Sequence, residues 1–181
     1  MHIYCVFGNL MPRARDGKFQ DNVIENAFVN RIAAFIKLGA IPTGMQYGHL
    51  EFTPIDKTAD AIIKLVTHPN TQNRIFHLFN HNFVYLNKCL KHFKTINKDF
   101  KVLPDEDFTK LVKSTLNDKN RKEILSFLIN DVDKNLHFIY NTDIIVKSET
   151  TINYLSKIGF NWSNITDKYL IRFLELLRSV M

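Results

Sequence analysis

Glycine, proline and cysteine are all scarce in this chain: 181 residues hold 6 Gly, 5 Pro and 2 Cys. So little Gly and Pro, beside 45% hydrophobic residues, excludes a collagen-like or low-complexity chain and indicates a globular protein with a real core. Cys5 and Cys89 stand far apart, which excludes a disulfide framework or a thiolate metal site and makes a reducing cytoplasm the default expectation. No run approaches the ~18 to 20 apolar residues a membrane-spanning helix needs, and the first residues lack a signal-peptide pattern, so a soluble, unexported chain with no membrane partner is expected. Asn161-Trp162-Ser163 and Asn164-Ile165-Thr166 match the glycosylation pattern, but that pattern has meaning only in a secreted chain.

The excess of positive charge is moderate. Lys and Arg number 24 against 18 Asp and Glu, a net +6, which suits an acidic partner without marking a nucleic-acid binder. Arg13, Arg15 and Lys18 form one small concentration, and Lys88, Lys91, Lys94 and Lys98 another at helical spacing. The second reads as a solvated helix face.

What is present is an alternation of strand-like and helix-like segments. His2 to Phe7 reads as a buried strand ending at Gly8, and Pro12 with Asp16-Gly17 prolongs the loop behind it. Apolar positions from Asn22 to Leu38 recur at helical spacing, with Gly39 as the stop. Pro42, Gly44 and Gly48 mark an irregular connection, then His49 to Ile55 reads as a strand. Asp56 is placed to cap a helix running to about His68, before Pro69. Ile75 to Phe79 and Phe100 to Leu103 read as strands, with a helix over Tyr85 to Phe93 between them. Beyond Pro104 helical spacing dominates, with helices expected over 105–115, 121–130, 148–158 and 166–180. The reading is therefore one domain in two parts: 1–103 with the strands and loops, and 104–181 as a helical cap.

Several chemical constellations fail on inspection. His77 and His81 are four apart, but in an extended strand that is ~13 Å, too far to share a metal. Asp131, Asp133 and Asn135 imitate a calcium loop, yet its sixth position is Leu136 and its twelfth Thr142. There is no Gly-x-Ser-x-Gly elbow, and Cys5 lies in an apolar strand where burial raises a thiol's pKa. The glycines never assume a phosphate-cradling spacing. No metal site and no nucleophile emerge.

Two stretches are more specific: Gly8-Asn9-Leu10-Met11-Pro12-Arg13 continuing to Asp16-Gly17-Lys18-Phe19-Gln20, and His49-Leu50-Glu51-Phe52-Thr53-Pro54-Ile55-Asp56. Together they resemble extended short-chain dehydrogenases, and more narrowly the thioester reductase domains of nonribosomal peptide synthetases and carboxylic acid reductases. Phe76-His77-Leu78-Phe79-Asn80 and the segment from Thr151 to Leu177, with Gly159-Phe160-Asn161-Trp162, are similar to the family's C-terminal part. The resemblance covers nearly the whole chain and implies an α/β fold: the end of a Rossmann-like sheet, few short strands, and a mostly helical substrate-binding cap.

The resemblance also makes two absences meaningful. Family members begin with a Gly-rich dinucleotide turn and use a Tyr with a Lys four residues on, which together handle the proton at the carbonyl oxygen. Here the residues four after Tyr4, Tyr47, Tyr85, Tyr140, Tyr154 and Tyr169 are Gly8, Glu51, Cys89, Ile144, Ile158 and Phe173. No catalytic residue is therefore assigned, and the chain is expected to need an N-terminal half that carries the nucleotide site. An Arg expected two residues before Gly8 is Val6 here.

By this resemblance the intact enzyme uses NADPH, none of it tightly bound to this chain alone, and reduces an acyl or peptidyl thioester on a phosphopantetheinyl carrier protein to an aldehyde or alcohol. Phe7, Gly8, Asn9 and Leu10 are implied to lie on the cofactor side. Met11, Arg13, Lys18 and Phe19 are implied to border the substrate, with Arg13, Arg15 and Lys18 suited to phosphate or to an acidic helix. The contrasting reading is a non-catalytic helical module that docks an acidic protein. A half-sheet without its neighbours also implies an exposed edge and an apolar face, hence self-association.

Overall fold

The computed structural model describes residues 2–140 and 148–181; Thr142 and Ile144, cited above, lie outside them. In chain order the elements are β1 (Tyr4–Phe7), β2 (Leu10–Met11), α1 (Ala27–Leu38), β3 (Ala40–Pro42), β4 (His49–Leu50), β5 (Thr53–Pro54), α2 (Ile55–Thr67), β6 (Ile75–Leu78), β7 (Val84–Tyr85), α3 (Leu86–Phe93), β8 (Lys101–Leu103), α4 (Asp105–Asn117), α5 (Glu149–Lys157) and α6 (Asp167–Val180). The strands are few and short and helix predominates, as the resemblance implies. Contacts divide the chain into two interleaved units rather than at Leu103: Met1–Gln20, Leu50–Val84 and Ile144–Tyr169 form the first, the remaining segments the second.

In the first unit β1 and β6 pair in parallel, with Cys5 opposite Phe76 and Phe7 opposite Leu78. Side chains alternate across a strand, so one face of this pair turns inward. Phe76 and Leu78 pack there with Ala61 and Leu65 of α2, Leu155 of α5, and Phe160 and Trp162. Each large side chain so buried contributes roughly 1.5–3 kcal/mol. The opposite face carries Tyr4, Val6 and Ile75, which are 58%, 53% and 65% exposed. Cys5 behaves as its strand predicts: burial pushes its thiol pKa up.

A second parallel pair joins β2 to β5, Leu10 opposite Thr53 and Met11 opposite Pro54. Helix α2 then starts at Ile55, with Pro54 as its extended cap residue and no side-chain capping bond. Asp56 therefore does not cap it. The cap falls at Pro54, two residues before Asp56, so Asp56 lies within the first turn and its carboxylate accepts from the loop behind β2.

In the second unit α1 starts at Ala27, later than its apolar periodicity suggests. A 3₁₀ turn over Val23–Glu25 precedes it, and Asn26 is the cap, accepting the Val29 N–H at 3.0 Å. Gly39 ends it at φ 78°, a left-handed conformation that glycine adopts without penalty. The stretch read as irregular after Gly39 contains β3, which pairs in parallel with β8, Ala40 opposite Lys101. Where a helix was expected over 121–130 there are two 3₁₀ segments, Lys122–Phe127 and Ile129–Asp131. Buried Leu125 and Leu128 are three apart, the repeat of that tighter helix. Phe35, Phe108 and Phe138 meet at centroid separations of 5.9–6.2 Å in this unit's core.

Candidate functional site

The candidate site lies in the first unit, on the turn from β1 to β2 and the loop beyond it. Gly8 donates its N–H to Leu78 O at 3.2 Å, which carries the parallel ladder one residue past β1. Asn9 donates its N–H to Glu51 Oε1 at 3.0 Å, and its carbonyl accepts the Thr53 N–H at 3.2 Å. The turn is thus held from two sides. A Cβ on Gly8 would collide with the Glu51 carboxylate and lie 2.6 Å from Phe79 Cβ, so no larger residue fits without displacing them.

Glu51 is the hub of a short network. Its Oε1 also accepts the Thr53 hydroxyl proton at 2.5 Å, and Thr53 Oγ1 in turn accepts the N–H of fully buried Asn80 at 2.8 Å. Asn80 donates through Nδ2 to Ser163 O at 3.1 Å and accepts the Asn82 N–H at 3.0 Å. Burial pushes the Glu51 carboxyl above its ordinary pKa; the hydrogen bonds from Thr53 and Asn9 pull the other way without cancelling it.

The loop after β2 is fastened by Asp56 and Tyr169. Asp56 accepts the N–H groups of Ala14 at 2.8 Å and Arg15 at 3.2 Å, and the Tyr169 hydroxyl donates to Pro12 O at 2.8 Å. Burial first, and the nearby Asp56 charge second, raise the Tyr169 pKa, so this phenol keeps its proton on Pro12. Within the loop Arg13 pairs with Asp16 at 2.8 Å, and the Arg13 N–H donates to Lys18 O at 2.9 Å across a turn at Gly17, φ 75°. The Lys18 N–H, with the Arg13 and Arg15 charges, holds Asp16 below the usual carboxylate range. Beside the loop lies a cleft of about 460 Å³ whose lining includes Arg15, Asp56, Lys57, Asp60, Thr166 and Tyr169.

The structure sorts the residues singled out from sequence. Phe7, at the end of the inward face of β1, is still 47% exposed and Asn9 is exposed, whereas Leu10 is half-buried. Met11 is fully buried, so its side chain is not on the surface. Arg13 is spent on Asp16; Lys18 is exposed and Phe19 half-buried. Sequence reasoning missed Glu51, Thr53 and Asn80 as a linked set. Their one sequence signal is that polar residues stand at three otherwise apolar segments. Among the described residues no cluster of three potential metal ligands occurs, and no helix is long and apolar enough to cross a membrane.

No protein-family model matches the sequence, and no curated protein matches it. Solved structures do. A thiolation-reductase di-domain from an archaeal non-ribosomal peptide synthetase is 27% identical, with a TM-score of 0.80 over 97% of this chain and 35% of that one. The terminal R domain from the myxalamid PKS-NRPS biosynthetic pathway is 18% identical, TM-score 0.71, over 99% of this chain and 44% of that one. The Aureusimine biosynthetic cluster reductase domain is 19% identical, TM-score 0.70, over 97% and 44%. The latter two show shared fold, and this chain spans between 35% and 44% of the length of these three chains. The resemblance read from the sequence thus holds in three dimensions: the chain has the fold of the C-terminal part of a thioester reductase domain of the nonribosomal peptide synthetase kind.

Proposed function

We propose that this chain supplies the substrate-side part of an NADPH-dependent thioester reductase that releases a carrier-bound acyl or peptidyl thioester as an aldehyde or alcohol. The observation that carries the reading is the 0.80 TM-score, at 27% identity over 97% of the chain, with a solved protein whose reductase is joined to a thiolation domain. The chain has no Tyr followed four residues later by Lys and no Gly-rich dinucleotide turn, so a partner that carries both is part of the proposal.

NADPH, when bound by that partner, supplies the hydride. Of the residues on the cofactor side, Phe7 and Asn9 fit a contact with it, because an apolar ring and an amide stand exposed at the end of β1. The N–H groups of Gly8 and Asn9 do not, since Leu78 O and Glu51 take them. The role left to this turn is to hold Phe7 and Asn9 at a fixed height. The loop fastened by Asp56 and Tyr169 offers exposed Arg15 and Lys18 to an anionic arm or acidic helix.

The test is a calorimetric titration of the full chain with a phosphopantetheinyl carrier protein bearing a non-hydrolysable acyl thioester analogue, alongside NADPH alone. Binding of the loaded carrier, no tight NADPH binding and no NADPH oxidation are expected. Loss of carrier binding, or NADPH oxidation by this chain alone, would overturn the proposal.

A further inference from the structure

The connection from α2 to β6 and the end of α5 enclose an open basin of about 610 Å³ in the first unit, which shares no lining residue with the cleft at Asp56. Its lining includes His68, Asn70, Gln72, Arg74, Tyr154 and Lys157, and no carboxylate. We propose that this basin is a subsite for a phosphate group, formed by the juxtaposition of Arg74, Lys157 and the His68–Tyr154 pair.

The backbone beneath these side chains is fixed before any ligand arrives. Buried Thr71 has its hydroxyl within hydrogen-bond distance of Leu65 O, at 2.7 Å, and His68 O, at 2.8 Å. Asn73, at φ 56°, donates its N–H to His2 O at 2.8 Å, and Arg74 O accepts the Tyr4 N–H at 3.1 Å. The other wall is set by Gly159, at φ 76°, with the Phe160 N–H returning to Leu155 O at 2.8 Å. A site built on such a frame loses little ordering entropy on binding.

The side chains then converge as donors. Tyr154 Oη lies 2.9 Å from His68 Nδ1, which the Asn70 N–H also approaches at 3.5 Å. Nδ1 is thus engaged by Tyr154 and Asn70, which leaves the Nε2 edge of the ring for another partner. The Arg74 guanidinium lies over the Tyr154 ring, 5.5 Å from its centroid, a contact that consumes none of its N–H donors. Lys157 adds an ammonium and Asn70 and Gln72 their amides.

The bland explanation for cations here is the negative C-terminal ends of α2 and α5. Those ends are otherwise served. Leu65 O at the end of α2 takes the Thr71 hydroxyl and the His68 N–H, and Ile158 O, just past α5, has the Lys64 ammonium at 3.5 Å. Among the described residues no carboxylate pairs with Arg74 or Lys157, and a guanidinium fork and an ammonium lining one basin suit the oxygens of an external phosphate.

The experiment is a ¹H–¹⁵N titration of the full chain with sodium phosphate and with glycerol 3-phosphate, each against sodium chloride at matched ionic strength. Saturable shifts at Asn70, Gln72, Arg74 and Lys157 are expected with both phosphates, equal for the two if phosphate alone is recognised and tighter for the ester if its body also fits. Arg74→Ala and Lys157→Ala should each weaken binding about five-fold or more, with Arg74→Lys in between because it keeps the charge but loses the fork. Lys157 is exposed at a helix end, so its variant keeps the fold even if Arg74→Ala does not. The same shifts in chloride, or Lys157→Ala titrating like the parent chain, would mean unspecific surface binding and end the proposal. The inference does not rest on the reductase reading.

Discussion

Glu51 Oε1 stands 3.0 Å from the Asn9 backbone nitrogen and occupies the space a side chain at position 8 would need. One carboxylate therefore both holds the turn after β1 and requires glycine beside it. Gly8→Ala is expected to destabilise the chain by about 1–3 kcal/mol, because a methyl group must displace either the carboxylate or Phe79. Urea denaturation measures this. Gly159→Asn is the contrast: its Cβ would meet only Lys64 Nζ at 3.8 Å, and Asn tolerates φ 76°, so a smaller loss is expected there.

The same carboxylate should leave a pH signature. Its pKa is raised by burial, so the folded chain binds this proton more tightly than the unfolded chain does. The stability this confers is fully present below the unfolded-state pKa and is lost as pH rises through the folded value, a window that opens at the ordinary carboxylate range and extends upward. Glu51→Gln keeps an acceptor for Asn9 and cannot ionise. Its stability relative to the parent should therefore rise with pH across that window in denaturation curves, and a difference that stays constant would show that Glu51 titrates normally.

What the sequence made legible was local. β1 and β6 are short apolar runs with clear ends, and Gly39 stops α1 because glycine takes the left-handed conformation of a helix C-terminus without steric cost. β3 was hidden because Pro42 and Gly44 look like loop residues, although the three residues before position 43 are all buried against a partner strand. The network at the site was hidden for a different reason. Asn9 and Glu51, or Ala14 and Asp56, are 42 positions apart, and no periodicity reports a hydrogen bond across that distance. Only the structure shows that Asp56 serves the loop, that Met11 is fully buried, and that Arg13 is already paired.

Asp56 and Tyr169 should govern how tightly that loop is closed. Asp56→Ala removes the acceptor of the two loop N–H groups, and of the Lys57 N–H, and is expected to cost about 1–3 kcal/mol, whereas Tyr169→Phe removes one hydroxyl donor and costs about 0.5–1.5 kcal/mol. The readout is hydrogen exchange. The Ala14 and Arg15 amides should lose protection in Asp56→Ala, and Tyr169→Phe should loosen the region around Pro12 while leaving those two amides closer to the parent. Unchanged protection at Ala14 and Arg15 in Asp56→Ala would show that the carboxylate does not hold the loop.

β1 has a second edge as well as an exposed face. Tyr4 and Gly8 donate their N–H groups toward β6, and alternation along a parallel strand directs the peptide groups of Cys5 and Phe7 the other way. No further described strand pairs with this two-stranded sheet. An apolar strand of this kind, with Tyr4, Val6 and Ile75 exposed beside it, is a template for another chain. Concentration-dependent sedimentation is therefore expected for the parent protein. Val6→Lys should shift it toward the monomer, since a lysine cannot be buried against a second apolar face without losing its hydration. Leu116→Lys, at an exposed position on α4 in the second unit, adds the same charge to another element and should leave the association unchanged. Equal effects of the two substitutions would trace the association to net charge, and a parent chain that stays monomeric at all concentrations would show that the open edge of β1 recruits nothing.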